Sequence, residues 1–376
     1  MDFNLTEERV MLRDTLRRFL ADKYTHEQRR ALITAGTPFD AIIHAGLAEL
    51  GVLGAMFSEE QGGFGGQGFD LMVVFEELGR AGVIEPVLPA VLAGGLIAAL
   101  GDGRQRGLAE EIIAGTHVAA LAQGEAAARY DLNHVETTAV PDGDAIVLSG
   151  LKTHVLYGAE AQTLVVSARE FGDVRDAAGI SLFLVPANAP GVTVSGHRNI
   201  DGIPAATVTL DGVRLPASAR LGAAGEGLDA LEAAVARGLT AICAEALGAM
   251  EAARDLTISY LKERKQFGTP IGKFQALQHR MADMLIEVEQ ARSAVINLAG
   301  NLNRPRELRE IHVSAAKNLI GRTGALVAEE CIQMHGGIGM TDEYALSHFA
   351  RRLTMIDHLF GDTDHHLARF IALKAG

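Results

Sequence analysis

Tryptophan is absent from this sequence, cysteine occurs only twice, and aromatic residues make up 5% of the chain. Cys243 and Cys331 each lie inside an alanine-rich apolar segment, so two buried free thiols in a reducing cytoplasm are expected rather than a disulfide. Positive charge is scarce as well: 34 Lys and Arg stand against 47 Asp and Glu, a formal net charge of −13. A phosphate-binding face needs excess Lys and Arg. Nucleic acid is therefore not expected as a partner, and an anionic ligand would need a local basic pocket. Long apolar runs are missing too. The longest, "VLPAVLAGGLIAAL" at 87–100, carries Pro89 and, at about 14 residues, falls short of the roughly 20 needed to cross a bilayer. It reads as a buried helix, and no membrane span is expected. The start, "MDFNLTEERVMLRDTLRRFLADKY", lacks a basic region followed by an apolar core, so no secretory signal is expected and a cytoplasmic location is.

What is present is an ordinary balance for a soluble globular chain, with 48% apolar and 22% charged residues. The length of 376 residues fits two to three domains and leaves room for a deep site between them. The first segment reads as a helix with Thr6 as N-cap and Glu7 and Glu8 in its first turn. Helical spacing continues to residue 116, broken by glycine clusters in "EEQGGFGGQGFD" and "LAGGL". Residues 117–222 change character. "HVAALAQG", "HVETTAV", "AIVLSGL", "TLVVSA", "SLFLV", "VTVSG" and "ATVTLDGVRL" are short β-branched runs separated by turn signals such as "PDGDA" and "APG", which predicts a small antiparallel β domain. Helical spacing returns at "GEGLDALEAAVARGLT" and holds over 223–376. The expected class is α+β, in the order helical domain, β domain, helical domain, with no internal repeat.

Gly63, Gly65 and Gly68 form a G-x-G-x-x-G, with Glu85 at about the spacing of a ribose-binding acid. A dinucleotide fingerprint must lie between a strand and a helix of a βαβ unit. The surroundings here are helical, so a loop between helices is expected.

Two stretches carry candidate chemistry. "SYLKERKQFGTPIGKFQALQHRMADMLIEVEQAR" at 259–292 reads as a helix ending near Phe267 and Gly268, a turn with Pro270 and Gly272, and a second helix from about Phe274. It offers Arg264 as a phosphate donor, Phe267 as an apolar face and Gln275 as an amide able to read a nucleotide edge. The residues alone favour a plain helical hairpin with a solvated Arg264. "AEECIQMHGGIGMTDEY" at 328–344 ends a helix in glycines. Gly336 and Gly337 either cap that helix in the left-handed region or let backbone N–H groups approach a pyrophosphate, and capping is the plainer reading.

Together these stretches resemble the acyl-CoA dehydrogenase family over nearly the whole chain, through "ERKQFGTPIGKFQALQHRMADM" and "CIQMHGGIGMTDEY". The resemblance implies an N-terminal helical domain, a middle β domain and a C-terminal four-helix bundle. It also implies FAD as cofactor, an acyl-CoA substrate and an electron-transferring flavoprotein as electron acceptor. Carried over residue by residue, Arg264, Phe267, Gln275, Gln333 and Gly337 would hold the adenosine-diphosphate half of FAD seated mainly in a neighbouring subunit.

The family's reaction needs a carboxylate to take the α proton while a hydride leaves the β carbon for the flavin. That base is usually the glutamate of a "Y-E-G-T" turn. Aligned on the threonine, this chain has Phe360, Gly361, Asp362 and Thr363, and Gly361 cannot accept a proton. The family's alternative location, on an earlier bundle helix, falls on Gly238. Glu245 lies two turns further along, where an exposed or capping role is expected. In place of the usual "T-E-P-x-x-G-S-D" and "W-I-T" segments stand "AQGEAAARYD" and "KTHVLYG", so the tryptophan that would back the flavin ring is missing.

The resemblance therefore implies a subunit without a catalytic residue of its own that supplies part of the FAD site to a catalytic partner of the same family. "MDFNLTEE", "ARYDL", "DHLFGDTDHH" and "YLKERKQFG" are similar to the small subunit of pimeloyl-CoA-type dehydrogenases. Two alternatives stay open: a self-sufficient enzyme with Asp362 as a relocated base, and a structural homologue that has lost FAD. Thr363 and His365 stand where family members touch the flavin or its phosphates. His358, Asp362 and His366 would align as metal ligands only on a continuous helix. Gly361 interrupts it, so no metal is expected.

Overall fold

The computed structural model describes residues 5–375; the first four residues of the amino-terminal stretch quoted above and Gly376 lie outside them. The chain opens with helices α1 (Glu7–Lys23), α2 (His26–Thr34), α3 (Ala41–Glu49), α4 (Gly68–Ala81), α5 (Val87–Pro89), α6 (Gly95–Leu100) and α7 (Arg106–Ile113). Strands β1 (Ala119–Ala122), β2 (Thr138–Asp142), β3 (Ala145–Leu156), β4 (Thr163–Arg169), β5 (Ile180–Pro186), β6 (Val192–Arg198), β7 (Pro204–Pro216) and β8 (Arg220–Leu221) follow. Then come α8 (Gly227–Glu263), a two-strand hairpin β9 (Lys265–Gln266) and β10 (Thr269–Pro270), and helices α9 (Gln275–Asn301), α10 (Arg306–His335), α11 (Ala345–His358) and α12 (Thr363–Ala375).

By its internal contacts the chain falls into two compact units. One comprises residues 1–35, 67–83 and 239–376 and contains α1, α2, α4, most of α8 and the later helices. Helices α1 and α2 start where side chains satisfy free N–H groups of a first turn. Thr6 accepts from Arg9 N–H at 3.4 Å. Thr25 and Gln28 form a reciprocal capping box. Helix α10 is central, packing against α9, α11 and α12, while α4 packs on α1 and α9. Close approach of α4 and α8 depends on two glycines: a Cβ on Gly79 would collide with the Glu245 carbonyl, and one on Gly248 with the Glu76 carbonyl.

The other unit, residues 36–66 and 84–238, holds the sheet. Its strand order is β6-β7-β3-β2-β4-β5-β8, with β1 also paired to β4. Every β-branched run read from the sequence forms a strand, but the sheet is not wholly antiparallel. β1 runs parallel to β4, and β2 meets β4 in a single parallel pair. The reason is topological: the β2–β3 hairpin intervenes in sequence, and β4 then returns alongside β1 in the same direction. β4 is buried along its whole length, which fits its unbroken "TLVVSA" run. The apolar stretch 87–100 is buried as read, though as two short helices joined by a π-helical turn at Ala90–Gly94 rather than one regular helix.

Only α8 among the described helices is long and apolar enough to cross a membrane by length and composition, and its apolar window is mostly buried in the protein. Cys243 and Cys331 are free and buried, as expected. Burial pushes their thiols up to about 12 and about 11.

Candidate functional site

Helix α8 ends at Glu263, a few residues earlier than its spacing suggests, because residues 265–270 turn back as a hairpin. The two turn residues, Phe267 and Gly268, have φ of 55° and 77°, the pair of left-handed conformations that a two-residue hairpin requires. A non-glycine residue adopts that conformation only at some cost. Phe267 nevertheless holds it and leaves its ring 91% exposed, in a T-shaped arrangement with Phe274 at 6.1 Å between centroids. Arg264 is exposed, and its guanidinium makes no ion pair or hydrogen bond among the described residues. Gln275, the first residue of α9, is exposed too.

Helix α10 ends at His335. Gly336 caps it by donating its N–H to the Ile332 carbonyl, with φ 69° and ψ −147°. That is a glycine-only region rather than the left-handed helical one expected, and Gly337 does not share it. A Cβ on either Gly336 or Gly337 would meet nothing within 4 Å, so both backbone segments are open to approach. Gln333 is exposed one turn before. The two stretches meet through side chains: the ring of Tyr260, four residues before Arg264, stacks on His335 at 4.4 Å.

Thr363 is placed apart from these residues. Its hydroxyl donates to Asp357 at 2.8 Å, and its carbonyl accepts from the Asn318 amide at 2.9 Å. Asn318 lies about 20 Å along α10 from Gln333 at 1.5 Å per residue.

The turn between α11 and α12 is tightly held. Phe360 and Gly361 have φ of 57° and 120°. Lys317, fully buried on α10, donates to the carbonyls of Gly361 at 2.6 Å and Asp357 at 2.8 Å. His366 donates from Nε2 to the Phe360 carbonyl at 3.1 Å. A Cβ on Gly361 would lie 2.5 Å from His366 Nε2 and 2.7 Å from His365 Cδ2. Burial, with the Lys317 charge beside it, pushes His366 down to about 3, so this imidazole is neutral at ordinary pH. Asp362 caps α12, accepting from the His365 N–H at 2.8 Å. His358 is exposed and His366 buried on separate helices, and no cluster of three or more His, Cys, Asp or Glu able to hold a metal exists among the described residues.

Gly238 is tightly packed as well: a Cβ on it would lie 2.5 Å from Leu92 Cδ2. Glu245 corrects an expectation. It is neither exposed nor a cap but 5% exposed, forming a bidentate pair with Arg352 at 2.6 and 2.7 Å. Its partner comes from α11, about a hundred residues on, which helix spacing around Glu245 cannot reveal.

Gly63 and Gly65 lie in a loop with no strand before them, as expected for a connection between helices. Arg237 pins this loop, donating to the carbonyls of Gly66 at 2.8 Å and Met56 at 2.7 Å. Glu85 is buried, with one carboxylate oxygen lacking a hydrogen-bond partner among the described residues and the other 3.4 Å from the Asp40 N–H. In the sheet, Lys152 is fully buried and donates to Glu125 at 2.7 Å and Ser167 at 3.0 Å. Burial pushes Lys152 down to about 8 against the opposing pull of Glu125.

Sequence reading missed Lys317, His335 and the Lys152–Glu125 pair. Lys317 had left a trace: it sits at i+4 from Val313 and three before Ile320, on the apolar stripe of its helix.

Comparison with known proteins agrees with this architecture. Models of the acyl-CoA dehydrogenase N-terminal, middle and C-terminal domains match residues 6–108, 120–213 and 225–372. The chain is 29% identical to the probable acyl-CoA dehydrogenase YngJ of Bacillus subtilis, covering 100% of this chain and 99% of that one. Among solved structures, it superposes on a variant of the Tcur3481-Tcur3483 steroid ACAD with a TM-score of 0.87 at 32% identity, covering 98% of each chain. It superposes on the ChsE4-ChsE5 complex of Mycobacterium tuberculosis with a TM-score of 0.89 at 26% identity, covering 100% of this chain and 99% of that one. With N-terminal helical, middle β and C-terminal helical domains, the chain belongs to the acyl-CoA dehydrogenase family, FAD-dependent oxidoreductases acting on the CH–CH bonds of acyl-CoA.

Proposed function

We propose that this chain is the non-catalytic subunit of a cytoplasmic hetero-oligomeric acyl-CoA dehydrogenase, lending part of the FAD site to a partner subunit that carries the base. The observation that carries this reading is the turn at Gly361. It lacks a carboxylate, and the space its side chain would need is filled by His366 while Lys317 fastens the backbone. Asp362, the nearest carboxylate, is engaged as a helix cap, which speaks against its service as a relocated base.

The residues present fit the nucleotide half of FAD. Arg264 is an uncommitted cation, Gln275 and Gln333 are exposed amides, and Gly336 and Gly337 leave backbone unobstructed. That donor set suits a diphosphate. Phe267 adds an exposed ring at the tip of a hairpin, shaped to reach beyond its own chain. Thr363 remains a proposed cofactor contact, one that would have to share its hydroxyl with Asp357. Bound FAD would supply the hydride acceptor for α,β-dehydrogenation. This chain's own part is to hold the nucleotide, shape the site and keep the Gly361 turn closed.

The division at 116 and 222, which rests on the change of residue pattern, and the pimeloyl-CoA-type kinship and onward transfer to an electron-transferring flavoprotein, which rest on the resemblance in sequence, belong to the same reading. The similar ChsE4-ChsE5 structure is itself a complex of two differently named chains, which supports a paired arrangement. The deciding experiment is co-expression with dehydrogenase-family partners. The chain alone should be purified without stoichiometric flavin or acyl-CoA oxidation and should gain both in complex. Full activity of the isolated chain, abolished by Asp362→Asn, would instead establish the self-sufficient reading.

A further inference from the structure

We propose that His335 is the positioning residue that fixes the two parts of the nucleotide half-site relative to each other, an inference that rests on the half-site reading above. Arg264, Phe267 and Gln275 depart from the α8–α9 junction, whereas Gln333 and Gly337 depart from the end of α10. Neither group can define a diphosphate site unless the other is held still, and the ring of His335, at the end of α10, packs on Tyr260 of α8.

The imidazole is 5% exposed and contacts α8, its own helix α10 and the N-cap of α11. One face stacks on Tyr260 at 4.4 Å and 25°. Tyr260 is one turn before Arg264 and accepts the Arg264 N–H on its carbonyl at 2.8 Å, so the ring contact acts on the residue from which the arginine side chain springs. Nδ1 donates to the Cys331 carbonyl at 2.8 Å. A carbonyl can only accept, so in the neutral ring Nε2 is the acceptor, and it faces the Tyr344 hydroxyl at 3.2 Å. Tyr344 is the N-cap residue of α11. On the remaining side the backbone packs against the ring's own stem: a Cβ on Gly339 would lie 3.0 Å from His335 Cβ. A flat ring with a donor at one nitrogen and an acceptor at the other meets all these demands. Burial lowers its basicity, which keeps Nε2 free to accept. Phenylalanine could keep the stack but would leave the Tyr344 hydroxyl without its acceptor.

The test measures FAD dissociation from the assembled complex by flavin fluorescence, alongside the thermal midpoint. His335→Phe is expected to weaken FAD binding about threefold to tenfold, the worth of one or two hydrogen bonds. His335→Gln, which keeps a donor and an acceptor, should recover part of the loss. Tyr344→Phe, which removes a single hydroxyl, should weaken binding about threefold and serves if His335→Phe does not fold. A residue acting through Arg264 has one further signature. In an Arg264→Ala background, His335→Phe should cost less than about twofold, because the positioned group is gone. Equal losses in both backgrounds, or no loss from His335→Phe where Arg264→Ala does weaken binding, would overturn the inference and leave the half-site intact. If Arg264→Ala itself changes nothing, the half-site reading falls and takes this inference with it.

Discussion

His366 occupies the place where a side chain on residue 361 would begin, with its Nε2 only 2.5 Å from the point where a Cβ would stand. A side chain at 361 is therefore excluded by packing as well as absent from the sequence, because the first turn of α12 fills the space it would need.

A glutamate put back at this point should not restore chemistry. Gly361 also has φ 120°, a conformation that side chains resist at a cost of about 1–3 kcal/mol. Gly361→Glu is expected to lower stability by at least that amount in chemical denaturation and to give no oxidation of acyl-CoA by the chain alone. Adding His366→Ala should relieve part of the destabilisation.

Lys317 should prove essential to the same turn. Lys317→Met removes the donor to two carbonyls at the helix junction and is expected to cost about 2–4 kcal/mol. Hydrogen exchange should show amides of 357–366 losing protection before those of α10. Uniform loss across the helices would point to a general packing role instead.

The buried pair of Glu245 and Arg352 is read as structural. Glu245→Ala removes the bidentate carboxylate partner of a buried guanidinium and should destabilise by about 3–5 kcal/mol, whereas replacing both partners with Leu and Met should come close to neutral. Flavin content per folded complex should not change in either case. A selective loss of turnover in a stable Glu245→Gln complex would reopen the question of a base on this helix.

Glu85 gives a pH dependence with a definite sign. Burial raises its carboxyl from 4.5 to about 7, so the folded state keeps a proton that the unfolded chain has already released. Its contribution is most favourable below pH 4.5, declines as pH rises from 4.5 to about 7, and is level above that. Glu85→Gln is therefore expected to match the parent near pH 4 and to be more stable at pH 8, by up to about 3 kcal/mol. Denaturant midpoints at the two pH values would show it; a Gln variant less stable at pH 8 would mean that Glu85 has an ionic partner.

Local pattern made much of the fold legible. The β-branched runs all became strands and the Thr6 cap lies where capping chemistry put it, whereas the hairpin at Phe267 takes residues that helical spacing assigned to the end of α8. The parallel pairing of β1 with β4 was hidden, because period-two alternation says which face is buried and not which strand lies alongside. Site chemistry divides in the same way. Arg264 and Gln333 stand in quotable motifs, while Lys317, His335 and the Glu245–Arg352 pair gain their meaning from partners distant in sequence. The glycine at 361 could be read as an absence, but only the structure shows its place taken by His366.

The most direct test is the flavin content and acyl-CoA-dependent flavin reduction of the homogeneous chain, measured with and without a co-expressed partner subunit. The account predicts a colourless, inactive chain alone and a flavin-bearing, active complex whose activity survives Asp362→Asn in this chain. Stoichiometric FAD and full turnover in the chain by itself would contradict it.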